Sequence, residues 1–197
     1  MKRIFLLLFA VGIMNGSSYG QNHQISPGFG VLTTNSFLDI LSNVGKNTVE
    51  GVLDGSKLKN KRYVGDFRIS YAYDISNSFS MGMTLSYLKA SGDYYKSGEF
   101  VGDQRINYYS VGAEATFYYM KRDHIKLYGL LGGGATMMNK EDRPKDPNEE
   151  ASQRNHAYFN LQISPFGIAA GGKKIGAFAE FGFGYRGMFS TGMYFRL

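Results

Sequence analysis

The chain has 197 residues, a formal charge of +6 and no cysteine, so disulfide bonds cannot stabilise its fold. The charge is modest, and no helix or cluster rich in Lys and Arg accompanies it, which excludes the electrostatic footprint of a nucleic-acid-binding protein. Tyr and Phe are abundant, with 15 of each, and beyond the N-terminal segment no apolar run reaches the length of a transmembrane helix.

The N-terminal segment has the features of a secretory signal peptide. Two cations open the chain, a short apolar run follows, and small residues stand at positions −3 and −1 of a cut before Gln21. A buried N-terminal helix is the alternative, but charge, run length and small-residue order would then coincide by chance. We predict a signal peptide over residues 1–20 and one exported domain over residues 21–197.

Eight later segments alternate apolar or aromatic residues with polar or small ones, as β-strands do when their two faces meet different surroundings. In residues 63–75 the odd positions are nearly all aromatic or branched aliphatic, and the even positions include Asp66 and Arg68. In chain order the predicted strands cover residues 28–34, 63–75, 79–90, 105–120, 125–138, 157–170, 175–185 and 188–197.

The connectors alternate in length. Long segments (35–62, 91–104 and 139–156) take turns with short ones (76–78, 121–124 and 171–174), although the last external turn, around Arg186, is also short. Barrels of the outer membrane have short periplasmic turns and longer external loops. The pattern therefore predicts an all-β fold, a closed eight-stranded antiparallel up-and-down transmembrane β-barrel in a Gram-negative-type outer membrane.

A soluble lipocalin-like barrel is the alternative that the alternation leaves open. It would turn its apolar residues inward and its charges toward water, the opposite of a membrane barrel. The two kinds of barrel differ in which side chains face outward. In a membrane barrel these are Phe67, Leu85, Phe117 and Phe181, and in a soluble barrel they are Arg68 and Glu180.

Apolar residues with helical spacing interrupt the β pattern in the first long connector: Phe37, Leu38, Ile40, Leu41 and Val44. They predict a short helix in the first external loop, with Asn35 or Ser36 as its N-cap. Such a helix caps the barrel mouth, rests on the membrane interface or serves as a partner-binding element, and its small size favours the first two roles over partner binding.

The third long connector is dense in charges of both signs and predicts a solvated loop. A cation site is the alternative, but the spacing of its acidic residues matches no calcium-loop pattern. The residues concerned are Glu141, Asp142, Asp146, Glu149 and Glu150.

Parity along the strands assigns charges of both signs to the lumen. An eight-stranded barrel is only wide enough for its own side chains, and enclosed charges are costly unless they are paired. We therefore predict an internal ion-pair network, a polar plug rather than a pore, with a narrow channel as the alternative. Its expected members are Arg68, Glu114, Lys126 and Glu180.

The groups needed for catalysis are sparse. There is no Cys, and His23, His124 and His156 are too widely separated to form a metal site, so we predict neither an enzyme nor a cofactor. The alternative is a rim-sited lipid A-modifying enzyme that uses His156 with Ser152 and Glu149 or Glu150.

The last two predicted strands carry a family resemblance. The end of the chain, Ser190-x-Gly192-x-x-Phe195-x-Leu197, resembles the C-terminal assembly signal of outer-membrane barrels. Residues 176–187 are similar to the penultimate strand of the small outer-membrane β-barrel domain family, the opacity and outer-membrane-protein-A-like group.

This resemblance implies an eight-stranded barrel that the barrel-assembly machinery inserts among outer-membrane lipid and lipopolysaccharide. Members of the family have diverse roles, so the resemblance supplies no particular activity. We predict a structural or surface-interaction role for the barrel. An external protein or glycan is a further expected partner, and no nucleic-acid partner is expected.

Overall fold

The computed structural model describes residues 22–36, 56–96, 99–146 and 151–197. The predicted signal peptide lies outside these residues, as does the part of the predicted loop helix beyond residue 36; residues 34–36, at its start, are helical. In the described part of the chain, no helix is long and apolar enough to cross a membrane.

Eight antiparallel strands form a closed barrel in which each strand pairs with its sequence neighbours and the last pairs with the first. The strands are β1 (His23–Val31), β2 (Ser56–Asp74), β3 (Phe79–Lys96), β4 (Glu99–Lys121), β5 (Ile125–Pro144), β6 (Ser152–Gly171), β7 (Ile175–Gly184) and β8 (Phe189–Arg196). The predicted fold class is therefore confirmed.

Most apolar side chains of the wall point outward, although a few, such as Leu88, Ile106 and Phe178, are buried. The four residues that distinguish a membrane barrel from a soluble one are exposed over 44–55% of their surface: Phe67, Leu85, Phe117 and Phe181. Arg68 and Glu180, on the other face of the wall, are exposed over only 5% and 7%. This orientation excludes a soluble barrel. In water, a barrel with this orientation would expose its apolar face to solvent and bury its charged side chains in its core.

The apolar belt has the height of a bilayer core. On β4 it extends from Tyr109 to Tyr119, both exposed, and ten residue steps of about 3.4 Å at a tilt of about 40° span about 26 Å along the membrane normal. Aromatic pairs edge this belt, with ring centroids 5.2 Å apart for Tyr87 and Tyr109 and 5.0 Å apart for Phe79 and Phe117.

The strands are longer at their external ends than the sequence pattern predicted. Residues 91–96 continue β3, residues 99–104 begin β4, residues 139–144 continue β5 and residues 152–156 begin β6. The prediction of a solvated loop over 139–156 was therefore wrong at both of its ends. The alternation of hydrophobicity stops where lipid stops, whereas backbone pairing continues beyond it.

Charge pairing accompanies this extension. In the register of β4 and β5, Arg105 lies opposite Glu141 and Asp103 lies opposite Arg143. Opposite charges on directly paired residues stabilise an antiparallel ladder. The charged composition that suggested a loop thus supports a hairpin in water.

The first strand begins earlier than predicted, at His23 rather than at residue 28. This first part of the strand contains Pro27, which cannot donate to the ladder. The pairing of β1 with β8 passes over Ser26 and Pro27 and resumes at Gly28. The strand ends at Val31 because Leu32 takes a positive φ of 55°, which is incompatible with an extended chain.

Candidate functional site in the lumen

Two glutamates and two arginines meet in the middle of the lumen, and we call Arg68, Glu114, Glu180 and Arg186 the central cluster. Glu180 Oε2 lies 3.4 Å from Arg68 Nη2, and Glu180 Oε1 lies 3.2 Å from Arg186 Nη1. Arg186 Nε lies 3.5 Å from Glu114 Oε1. All four side chains are almost fully buried, and within the cluster two positive charges face two negative ones.

Hydroxyl groups complete the coordination of the two carboxylates. Tyr128 donates to Glu180 Oε1 over 2.9 Å, and Ser190 donates to Glu180 Oε2 over 3.0 Å. Tyr185 donates to Glu114 Oε1 over 3.1 Å. A buried charge is tolerated when it is both paired and hydrogen-bonded, and the two carboxylates meet that condition.

Arg186 comes from the short turn between β7 and β8 rather than from a strand. Parity placed it in the lumen, but a turn residue has no fixed alternation, so the sequence did not predict its central position. Its backbone N–H donates to Gln162 Oε1 over 2.8 Å, and its carbonyl accepts from Arg68 Nη1 over 3.2 Å. Gly187 follows with φ +98°, a conformation that a side chain would strain.

Glycines on the wall make room for the Tyr185 ring. A Cβ on Gly112 would lie 2.6 Å from the Tyr185 hydroxyl oxygen, and one on Gly132 would contact the same atom. Gly112 lies on β4 and Gly132 lies on β5. Because neither residue has a side chain, this part of the wall leaves space for the Tyr185 ring, which comes from the opposite side of the barrel.

Lys126, which the sequence grouped with the central cluster, occupies another position. Its Nζ lies 4.7 Å from the centroid of the Tyr194 ring, and it stands opposite Lys121 in the register of β4 and β5. In the part of the chain that the structure describes, none of the ion pairs of the central cluster includes Lys126.

A polar layer closes the lumen toward its external end. Thr33, Asn35 and Ser36, which follow β1, are buried. Asn35 Oδ1 accepts from the Tyr158 hydroxyl over 2.7 Å and from Asn160 Nδ2 over 2.8 Å, and both donors lie on β6. The chain leaving β1 therefore turns inward and contacts the far wall.

A second ionic group lies at the periplasmic end. Asp74 Oδ2 lies 2.7 Å from Lys121 Nζ and 3.2 Å from Arg196 Nη2. The Ser80 hydroxyl donates to the other oxygen of the same carboxylate, and Tyr118 donates to that oxygen over 3.4 Å. One carboxylate thus serves two cations.

The residues of the predicted assembly signal divide between the two faces of β8. Ser190 is buried in the lumen, and Gly192 lies against Phe178, where a Cβ would come within 2.7 Å of the ring. Phe195 and Leu197 are exposed on the lipid side.

Two of the four candidate catalytic residues belong to the part of the chain that the structure describes. Ser152 and His156 are exposed on β6, and Glu149 and Glu150 fall outside the described residues. Four residue steps along an extended strand place Ser152 and His156 about 13 Å apart. Within the described ranges, no group of three or more potential ligands is arranged to hold a metal ion.

A closed eight-stranded barrel with an aromatic and aliphatic belt outside and polar and charged groups enclosed is an integral membrane barrel of the outer-membrane class. The family resemblance of the last two strands is confirmed at the level of the fold. No protein-family model and no curated protein matches the chain.

Solved structures of small outer-membrane barrels resemble it. The N-terminal barrel domain of OprF from Pseudomonas aeruginosa is 14% identical, with 91% of this chain and 100% of that chain covered and a TM-score of 0.45. Ail, the attachment invasion locus protein of Yersinia pestis, is 14% identical, with coverage of 88% and 92% and a TM-score of 0.43. OprG from P. aeruginosa is 8% identical, with coverage of 91% and 99% and a TM-score of 0.48.

Proposed function

We propose that this outer-membrane barrel acts through its external surface, in a structural or surface-interaction role, while its own side chains close its lumen. The main support is the external extension, formed by the parts of β2–β6 that continue beyond the apolar belt as paired strands. β1, β7 and β8 have only eight to ten residues each, so the extension rises from one side of the barrel.

The chemistry of the extension suits a charged, hydrated partner. Its face carries charges of both signs, and the Arg143 guanidinium hydrogen-bonded to Glu141 holds the pKa of that carboxyl below its usual range. Arg62, Lys89 and Arg105 are exposed just above the external aromatic edge of the belt. At that height they meet the phosphate groups of lipopolysaccharide, which favours lipopolysaccharide as a contact.

Lipopolysaccharide should stabilise the barrel through these cations. The free energy of unfolding in urea should be higher in vesicles containing lipopolysaccharide than in phosphatidylcholine vesicles. Combined Lys89→Ala and Arg105→Ala substitutions should reduce this difference by about 2 kcal/mol, at about 1 kcal/mol for each cation at an anionic surface.

The control is Lys174→Ala, which removes a cation from an exposed periplasmic turn and should leave the difference unchanged. An undiminished difference in the Lys89 and Arg105 variant would argue against the proposed contact.

The narrow pore is the main alternative. The central cluster and the contacts of Asn35 with β6 both occupy the lumen, which supports a closed barrel. In planar bilayers we expect no unitary current steps from the purified protein, once heat-modifiable gel mobility has verified that it is folded. Reproducible steps absent from barrel-free bilayers would favour the pore.

The rim-sited lipid A-modifying enzyme has less support. A serine nucleophile and its histidine base must lie within hydrogen-bond reach, and a separation of about 13 Å along β6 is far beyond it. Assembly by the barrel-assembly machinery through Ser190, Gly192, Phe195 and Leu197 remains part of the proposal.

A further inference from the structure

The periplasmic end of the lumen carries more positive than negative charge among the residues that the structure describes. Lys121 and Arg196 share the single carboxylate of Asp74, with which they form ion pairs of 2.7 Å and 3.2 Å. Lys126 adds a third cation on the same face of the wall, directly opposite Lys121. Like charges on directly paired residues destabilise a ladder unless something compensates them.

Lys126 lacks an anionic partner in the described part of the chain, although it is exposed over only 5% of its surface. The charged groups that act on it are Arg196, Asp74 and Lys121, two cations and one anion. Its Nζ faces the Tyr194 ring, which offers a weak attraction. A cation withdrawn from water in this way needs a counter-charge.

The space beside Lys126 can accept one. A cavity of about 340 Å³, which we call the periplasmic basin, opens from the lumen toward the periplasm. Its lining contains five cations and one carboxylate: Lys121, Arg122, Lys126, Lys173, Arg196 and Asp123. Lys126 also lines a second cavity of about 50 Å³ that reaches Glu114 and Glu180 of the central cluster, so Lys126 lies at the inner end of the basin.

We propose that the periplasmic basin is a binding site for a phosphate group, with the Lys126 ammonium as its innermost donor. A phosphate oxygen at that position supplies the counter-charge that Lys126 lacks. Lys121 and Arg196 can also donate to the phosphate, because each has N–H groups that do not bind Asp74. Lys173 and Arg122, on two periplasmic turns, supply the outer edge. The site is independent of the external surface proposed above.

The test is calorimetric titration of the full chain, folded in a maltoside detergent that carries no phosphate, with inorganic pyrophosphate at constant ionic strength. Saturable binding is expected for the unmodified protein. Lys126→Met should weaken it roughly tenfold or more, the size expected for one buried charge-assisted hydrogen bond. Lys126→Arg should restore most of the affinity.

The matched control is Lys145→Met, the same change at an exposed lysine of the external end, which should leave the affinity unchanged. Heat-modifiable mobility verifies the fold of each variant. If Lys126→Met does not fold, Lys173→Met in the exposed turn should weaken binding by roughly threefold, the loss of a weaker exposed contact. No saturable binding, or equal affinity for Lys126→Met and the unmodified protein, would overturn the proposal.

A second arm identifies the source of the phosphate. In nanodiscs, loss of pyrophosphate binding with phosphatidylglycerol but not with phosphatidylcholine would assign the basin to a lipid headgroup. Retained binding in both would assign it to a soluble periplasmic phosphate compound.

Discussion

Replacing Arg186 with leucine is expected to lower the free energy of unfolding by about 3–5 kcal/mol, the range for breaking a buried ion pair from one side. The substitution leaves Glu114 without its cationic partner and Glu180 with Arg68 alone. Both carboxylates are buried, so water cannot compensate for the lost charge.

The measurement is urea unfolding of barrel refolded into lipid vesicles. Arg143→Leu is the control, because the Arg143–Glu141 pair is exposed to solvent and its loss should lower stability far less. Adding Glu114→Gln to Arg186→Leu should recover part of the stability, because it removes the carboxylate that the first change orphans. An Arg186 variant as stable as the Arg143 variant would show that the central cluster contributes little to stability.

Replacing Leu85 with arginine is expected to lower the free energy of unfolding by about 2–4 kcal/mol, the cost of a cation near the bilayer midplane on the lipid face of a barrel. Leu85 is exposed and lies between Ile69 and Val111 in the register, in the middle of the apolar belt. Its side chain can reach neither water nor an enclosed partner.

The same unfolding measurement in vesicles tests this second prediction. Gln153→Arg places the same cation on an exposed part of the external extension and should change stability by less than about 0.5 kcal/mol. Equal losses for the two variants would mean that position 85 does not face hydrocarbon.

The strand-by-strand alternation was sufficient to predict the two faces of the wall. Residues that parity assigned to the lumen, such as Arg68, Glu114 and Glu180, are buried, and Phe67 and Leu85 are exposed. This succeeds because the side chains of a strand alternate strictly between its two faces. Once the face of one residue is known, the faces of its neighbours follow.

Prediction failed where alternation is not the controlling factor. The external extension was read as loops because most of its residues are polar or charged, so no hydrophobic period marks it. The first part of β1, from His23 to Pro27, was also missed, and its pairing with β8 is interrupted at Ser26 and Pro27. Arg186 was not recognised as the centre of the ion pairs, because its turn bends inward only when β7 and β8 are held by the closed wall.

The sequence by itself determined the eight strands of this barrel, the side of the wall on which each side chain lies and the enclosed character of its charges, since these follow from local chain geometry. Only the tertiary structure decided which charges meet. Partners such as Arg68 and Glu180 are 112 residues apart, and their contact depends on the register and curvature of the closed barrel. Those quantities arise from the sum of all strand pairings and from no single segment.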